Sequence, residues 1–278
     1  MQTHDKMKFS VLMPVYYKEN ASFLDGALES ITTKQELMPN EIIIVEDGPI
    51  GRELMSTLDK YTDLYPAIIN RIKLKENVGM GRAMNIGLTN ATNEYIARMD
   101  SDDLARPDRF KEQINFLKAN KEVDIVGSLI EEFKLTPGDF KNLRTLPEKH
   151  EDILNYLKFR CPFNHMTVIF KKHVAIKAGG YWSRRNYEDY NLWYEMAKSG
   201  ARLHNIQKIL VDARVGNNMV GRRRGLKYFK DEFIFFRKMK KEKFITPFEF
   251  LCDVGTRGIL RVIPQKPLEW VYYKYLRS

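Results

Sequence analysis

Tyr95-Ile-Ala-Arg-Met-Asp100-Ser101-Asp102-Asp103 decides how this chain is read. A short apolar run, long enough for a buried strand, ends in three carboxylates within four positions. Like charges at that spacing repel one another unless a cation lies among them. Hard carboxylate oxygens suit Mg²⁺ or Mn²⁺, which take one or two protein carboxylates and complete their shells with phosphate oxygens. A strand ending in acid also places the acid where open α/β sheets bind ligands, outside the carboxyl ends of the strands. Alone, the D-x-D pattern is short, and a solvated acidic turn before Pro107 accounts for it equally well.

Upstream the same arrangement recurs. Phe9–Val15 reads as a buried strand ended by Pro14. Asn20 is placed to cap a helix carrying Leu24, Ala27, Leu28 and Ile31 at helical spacing. Glu41–Val45 is a second strand, ending in Glu46-Asp47-Gly48. Leu54, Leu58 and Tyr61 mark a second helix. Ile68–Leu74 is a third strand, followed by Glu76-Asn77-Val78-Gly79-Met80-Gly81-Arg82 and a helix through Ala83, Ile86 and Gly87. This alternation predicts an α/β fold: a parallel, Rossmann-like sheet with helices on both faces. All strand carboxyl ends then share one edge, so Tyr16, Asp47, Asn77 and Asp100 are expected to line one crevice.

Downstream, Pro107 is expected to open a helix that buries Phe110, Ile114 and Leu117. Val123–Leu129 and Met166–Phe170 read as strands, and Glu148–Phe159 as a helix. Ala178-Gly179-Gly180 ends the helix after Phe170. Glu188–Lys198 is a helix with Leu192, Trp193 and Met196 facing the core and Gly200 as its stop. Lys208–Val211 is a strand. Gly225–Lys241 is a basic helix carrying Phe229, Phe233 and Phe236.

The 278 residues are 44% hydrophobic, enough for a sizeable core. Apolar runs are too short for a membrane-spanning helix. The polar start lacks a secretory apolar region, and Cys161 and Cys252 lack metal-ligand spacing, so a reduced, cytoplasmic chain is expected. Residues 222–278 carry 15 Lys/Arg against 6 Asp/Glu, or +9 of the total +10, which leaves residues 1–221 at +1. A neutral body at 1–221 with a basic helical extension at 222–278 suggests that the extension meets something anionic.

Several short motifs admit two readings. No P-loop is present, and Gly79-Met80-Gly81 is not a dinucleotide fingerprint because Met84 stands where a glycine is required. Gly79 and Gly81 still allow close backbone approach to a nucleotide, and Arg82 could meet its phosphates. Asp47 either closes a turn or accepts the N–H of a base such as uracil. Acid in Asn186-Tyr187-Glu188-Asp189-Tyr190 either complements a helix N-terminus or supplies a general base. His165 is a hydrogen-bonded core histidine or an acceptor contact. Arg222-Arg223-Arg224 is a solvated run or a diphosphate clamp. Gly258–Pro264 and Leu268–Arg277 mix aromatic, aliphatic and basic groups, as an interfacial segment or a helix packed on the body does. No nucleic-acid motif appears.

Taken in order, Met13-Pro14-Val15-Tyr16, Val45-Glu46-Asp47-Gly48, Asn77-Val78-Gly79, Met99-Asp100-Ser101-Asp102-Asp103 with Pro107-x-Arg109, and Glu188-Asp189 resemble family 2 inverting glycosyltransferases of the GT-A fold. The likeness extends over residues 7–215 and is nearest to bacterial polysaccharide-assembly enzymes, the amylovoran type among them. The resemblance implies a metal-dependent hexosyltransferase working with Mn²⁺ or Mg²⁺. Pro14, Val15 and Tyr16 would border the nucleoside, Glu19 the ribose or uracil, and Asp47 the uracil N3. Asn77, Gly79 and Arg82 would hold the uridine and diphosphate side. Asp100 and Asp102 would form the metal-binding pair, Asp102 as the preferred direct ligand and Asp100 nearer the ribose, with Ser101 between them and Asp103 at the donor sugar. Asp189 would be the catalytic base. Glu188, Trp193 and His165 would shape the acceptor site. A nucleotide-sugar donor, with UDP-sugar favoured, and a saccharide or lipid-linked acceptor follow, with contact at the cytoplasmic face of the inner membrane through the basic C-terminus. Two rivals remain. A sugar-nucleotide pyrophosphorylase would want a glycine-rich basic loop near the first strand, which Tyr16-Tyr17-Lys18-Glu19-Asn20 is not. A non-catalytic membrane-surface scaffold predicts no metal-dependent stabilisation by UDP.

Overall fold

The computed structural model describes residues 7–140, 142–184, 186–216 and 225–262. Its first half is β1 (Phe9–Val15), α1 (Ala21–Ile31), β2 (Glu41–Glu46), α2 (Arg52–Leu64), β3 (Ile69–Lys73), α3 (Met80–Asn90) and β4 (Tyr95–Arg98). β1 pairs in parallel with β2 and β4, and β2 with β3, so the spatial order is β3-β2-β1-β4. Alternate residues of β1 enter two separate cores. Val11, Met13 and Val15 pack with residues of α1 and α2, while Leu12 packs with Ala83 and Met84 of α3. A strand covered on both faces needs apolar residues at successive positions, which Phe9–Val15 and Glu41–Glu46 largely supply. Asn20 caps α1 as expected, accepting from the N–H groups of Ser22 and Phe23.

The chain travels outward from β1 to β3 along one face, then returns through α3 on the other face to β4. That reversal between β1 and β4 makes a switch point, and ligand crevices form at the carboxyl ends of strands there. Tyr16 and Asp100 flank it.

The second half builds on β4. It comprises β5 (Leu104–Ala105), α4 (Arg109–Ala119), β6 (Ile125–Phe133), β7 (Asn142–Arg144), α5 (His150–Leu157), β8 (Ile169–Lys171), α6 (Lys172–Lys177), α7 (Glu188–Lys198) and β9 (Leu203–Arg214). β8 lies antiparallel between β4 and β6; β9 runs parallel to β6, and β5 and β7 add antiparallel edges. Of the expected Met166–Phe170 strand only Ile169 and Phe170 pair, within β8. His165–Thr167 is a 3₁₀ turn instead, because the Thr167 hydroxyl bonds back to Asn164 O at 2.8 Å. Pro107 lies two residues ahead of α4 rather than in its first turn. The Lys208–Val211 strand is the middle of the longer β9, whose pattern is broken by register shifts against β6.

α8 (Gly225–Lys241) and α9 (Pro247–Val262) close the described chain. Phe235, Phe236 and Met239 are fully buried in the same core as Trp193 and Tyr194. Glu232 is buried beside Arg257 at 2.9 Å and Arg261 at 2.6 Å, and accepts from the Tyr187 hydroxyl at 2.8 Å. Burial alone would raise its carboxyl pKa, but the Arg261 hydrogen bonds and both guanidinium charges outweigh that and hold it below the usual range. Arg222–Arg224, Leu268–Arg277 and the boundary expected between 221 and 222 lie outside the described residues, as do the last two residues of Gly258–Pro264. Among the described residues no helix is long and apolar enough to cross a membrane.

Candidate active site

The side expected to meet the donor is a pair of turns locked together. Asp47, 5% exposed, follows β2 and accepts the Val78 N–H at 2.7 Å and the Gly79 N–H at 3.1 Å, one on each carboxylate oxygen. Asn77 Nδ2 donates to Asp47 O at 3.0 Å. Gly48 (φ +87°) permits this contact, since a Cβ there would lie 2.7 Å from Asn77 N. Asp47 therefore holds the turns after β2 and β3 together, and one lone pair on each oxygen is left by count. Gly79 (φ +86°) opens α3, with Asn77 and Arg82 exposed on either side. Tyr16 and Glu19 are half-buried in the turn after β1. Pro14 and Val15, expected to border the nucleoside, are buried in the sheet, and Val15 O is taken by the Asp47 N–H at 2.8 Å.

The acidic turn has three differently placed carboxylates. Asp100 is a quarter exposed, and its Oδ1 meets Arg98 Nη2 at 2.5 Å. Asp102 is half-buried, with its carbonyl accepting from Arg214 Nε at 3.0 Å. Asp103, expected at the donor sugar, is 2% exposed and accepts the Arg214 N–H at 2.7 Å. Burial, then Asp102 and Asp100, push its carboxyl well above the ordinary range. Ser101 is also buried. Below the turn Arg109, fully buried, donates to Arg98 O at 2.6 Å, and burial plus the Arg98 charge lower it to about 9. Arg214 lies 3.8 Å from the Phe23 ring centroid and 4.5 Å from that of Phe133, which fixes the end of β9 against the turn.

A hard cation fits this donor set. Among the described residues no cluster of three or more His, Cys, Asp or Glu side chains could hold a metal ion. Mg²⁺ or Mn²⁺ completed by phosphate needs only one or two carboxylates. Asp102 and the Asp100 oxygen not bonded to Arg98 are suitable in number and kind.

The side expected to meet the acceptor is α7 and the loop before it. Asp189 stands in the first turn of α7, where the helix dipole favours its charge. Its Oδ1 accepts the Tyr190 N–H at 2.7 Å, and Cys161 Sγ lies 3.8 Å from Oδ2. Burial, then Asp189, raise the Cys161 thiol and keep it protonated. His165 Nε2 is 3.3 Å from the Tyr181 hydroxyl; burial, then Arg98, lower its pKa well below the usual value, so it is neutral at pH 7. Tyr181, 2% exposed, joins the halves: its phenol feels both Asp189 and Asp100 as well as Arg98. Asn85 of α3 clamps Tyr181, donating to its carbonyl and accepting its N–H, each at 2.7 Å. Glu188 packs against Gly81 of α3, where an added Cβ would be 3.1 Å from Glu188 Cγ. Asp47, Asp100, Glu188 and Asp189 are thus brought around the N-terminus of α3 and Tyr181. Trp193, expected to shape the acceptor site, would do so from within the core. It is 0% exposed, packed against Phe163, His165, Phe170 and Tyr181, so it supports His165 and Tyr181 from behind.

A profile described as Glycosyl transferase family 2 matches residues 10–186. The chain belongs to glycosyl transferase family 2. Among its relatives, a UDP-Gal:alpha-D-GlcNAc-diphosphoundecaprenol beta-1,3-galactosyltransferase from Escherichia coli is 37% identical over 277 residues, 98% of each chain. The amylovoran biosynthesis glycosyltransferase AmsE of Erwinia amylovora is 35% identical over 269 residues, 96% of this chain and 98% of that one. S. aureus TarS 1-349, solved in complex with UDP-GlcNAc, superposes with a TM-score of 0.64 at 16% identity, covering 97% of this chain and 72% of that one. A mannosyltransferase from Pyrobaculum calidifontis, solved with GDP-Man and Mn²⁺, gives a TM-score of 0.61 at 17% identity over 95% and 78% of the chains. The fold of this family 2 glycosyltransferase is GT-A.

Proposed function

We propose that this glycosyltransferase moves a hexose from a UDP-sugar, with inversion, to a hydroxyl of a lipid-diphosphate-linked saccharide during surface-polysaccharide assembly. The observation that carries the reading is α3, whose head is held by Asp47 through Val78 and Gly79 while its Gly81 and Asn85 meet the loop and helix that carry Tyr181, Glu188 and Asp189. Two relatives that match nearly end to end support the substrate classes, one named for a diphosphoundecaprenol acceptor and the other for amylovoran biosynthesis.

In this reading Asn77, Gly79, Arg82, Tyr16 and Glu19 border the nucleotide, and Asp47 braces the turns that carry them. Asp102 and Asp100 would hold Mn²⁺ or Mg²⁺, which when bound would supply positive charge against the departing diphosphate. Asp189 takes the proton from the acceptor hydroxyl, whose oxygen attacks C1 opposite the diphosphate. The C1–O electron pair leaves with UDP, and no covalent enzyme intermediate forms. Neutral His165 and Glu188 orient the acceptor. The same reading has the work done at the cytoplasmic face of the inner membrane. There α9 would lay Phe248, Leu251 and Ile259, which are 74, 67 and 63% exposed, against the bilayer beside exposed Lys240, Lys241 and Lys243.

Asp189→Asn tests the reading. It is expected to leave UDP affinity near wild type and to cut transfer by about 10²-fold or more. Transfer at the wild-type rate removes Asp189 as base.

A further inference from the structure

Beneath the acidic turn lies a cation that no step above uses. Arg98, the last residue of β4, is 0% exposed. Its strand neighbours Ile96, Ala97 and Met99 are equally buried and apolar. A charge in such surroundings is unfavourable unless paired, and an apolar side chain of similar volume is often more stable there. Its donors are nevertheless aimed at the site. Nη2 reaches Asp100 Oδ1 at 2.5 Å and lies 3.9 Å from Met80 Sδ, at the start of α3. Nη1 donates to Met99 O. Nε is buried without a hydrogen-bond partner among the described residues. Arg98's charge is felt at His165 and Tyr181, so it borders both halves of the site.

Asp100 is only a quarter exposed, and one of its oxygens is committed to this guanidinium. Without that bond the short side chain would have several rotamers beside Asp102, whose like charge pushes it away. We propose that Arg98 is a positioning residue: it holds Asp100 in one orientation, so that a single Asp100 oxygen joins Asp102 at the divalent cation and donor diphosphate. The proposal rests on the reading of the acidic turn as the donor-phosphate site.

The test is a double-mutant cycle on the full chain without acceptor. UDP affinity is measured by calorimetry with and without Mn²⁺ for wild type, Arg98→Met, Asp100→Asn and the pair, with melting temperatures alongside. Residues that orient metal ligands are worth about 10- to 100-fold in metal affinity. Arg98→Met is therefore expected to lower Mn²⁺-dependent UDP affinity by about tenfold or more and leave metal-free UDP binding near wild type. The double variant is expected to bind no worse than the weaker single, because both changes act through one carboxylate. Stability should be asymmetric. Asp100→Asn strands a buried guanidinium and is expected to melt lower than Arg98→Met, while adding Arg98→Met to it restores part of the loss. If Arg98→Met does not fold, Arg98→Lys gives the same decision, since it keeps the charge but loses the planar fork. Wild-type Mn²⁺-dependent affinity in a folded Arg98 variant, or losses that multiply in the pair, would overturn the proposal. Failure of the wild-type chain to bind UDP under either condition would instead overturn the donor-site reading beneath it.

Discussion

Replacing Gly81 by Ala should disconnect Asp189, the proposed base, from the proposed donor side. Gly81 is buried in the first turn of α3, and a Cβ there would lie 2.1 Å from Trp182 O and 3.1 Å from Glu188 Cγ. A carbon-to-oxygen contact is comfortable at about 3.3 Å, so the carbonyl must withdraw by about 1 Å. α3 cannot give way easily, because Asp47 holds Val78 and Gly79, and Ala83 and Met84 are packed at 0% exposure. The loop from Gly180 to Tyr187 moves instead, and Asp189 follows it. Overpacking of this kind costs about 1–3 kcal/mol, against about 0.5–1 kcal/mol gained from alanine's better helix preference. A misplacement of about 1 Å at a reacting group costs about 10²-fold in rate. Expected, then, is a modest fall in melting temperature, a transfer rate lowered by about 10²-fold, and UDP affinity close to wild type. The assay is initial-rate transfer at saturating donor, paired with UDP calorimetry. Gly255→Ala is the control. It lies inside α9 with nothing within 4 Å of an added Cβ, so it should raise stability by about 0.5–1 kcal/mol and leave transfer alone. A folded Gly81→Ala enzyme transferring at the wild-type rate would refute the coupling of α3 to the loop.

Two further outcomes are expected. His165 has a folded pKa below its unfolded value, so between the two the unfolded chain binds a proton that the folded chain does not. Stability then falls as pH drops below about 6.5, at up to about 1.4 kcal/mol per pH unit. His165→Gln removes that contribution, leaving those of His150 and His204, so its melting temperature should drop less than wild type between about pH 7.5 and about pH 5.5; parallel curves would count against it. For the membrane surface, Phe248→Ser with Leu251→Ser should weaken flotation with anionic vesicles while leaving transfer to a short soluble acceptor unchanged; undiminished flotation would remove this face from the contact.

Sequence periodicity located the first four strands and their helices because each is local and buried on a regular pattern. The acidic turn was legible as three carboxylates closing a strand, and Asp189 as acid opening a helix, its role as base being implied by the resemblance alone. Topology then gathered them, since parallel strands share an edge. What was not legible depends on contacts far apart in the chain. Tyr181 lies in a glycine-broken loop without periodicity, and its place is set by Asn85, 96 residues earlier. Arg98 had a local signal, a lone charge inside an apolar strand, but its partner was hidden until the turn's shape was known. Cys161 and Arg214 carry no pattern of their own. Trp193 was legible twice, as a core residue by helical spacing and as an acceptor contact by resemblance. The spacing was right, because seven of the eleven residues of α7 are buried. β5 and β7 are two and three residues long, too short for any alternation to register.

The salt-bridged attachment of α8 has a practical consequence for deletion studies. Asp231 meets Arg184 and Asn186, and Glu232 takes the Tyr187 hydroxyl while Arg257 and Arg261 neutralise it. The three residues so moored stand immediately before Glu188 and Asp189. Cutting the chain within α9 ahead of Arg257 removes those arginines and strands a buried anion directly behind Asp189. A truncated enzyme that loses both vesicle binding and turnover therefore says nothing about whether lipid contact drives catalysis, and point changes on the outer face of α9 are the cleaner instrument.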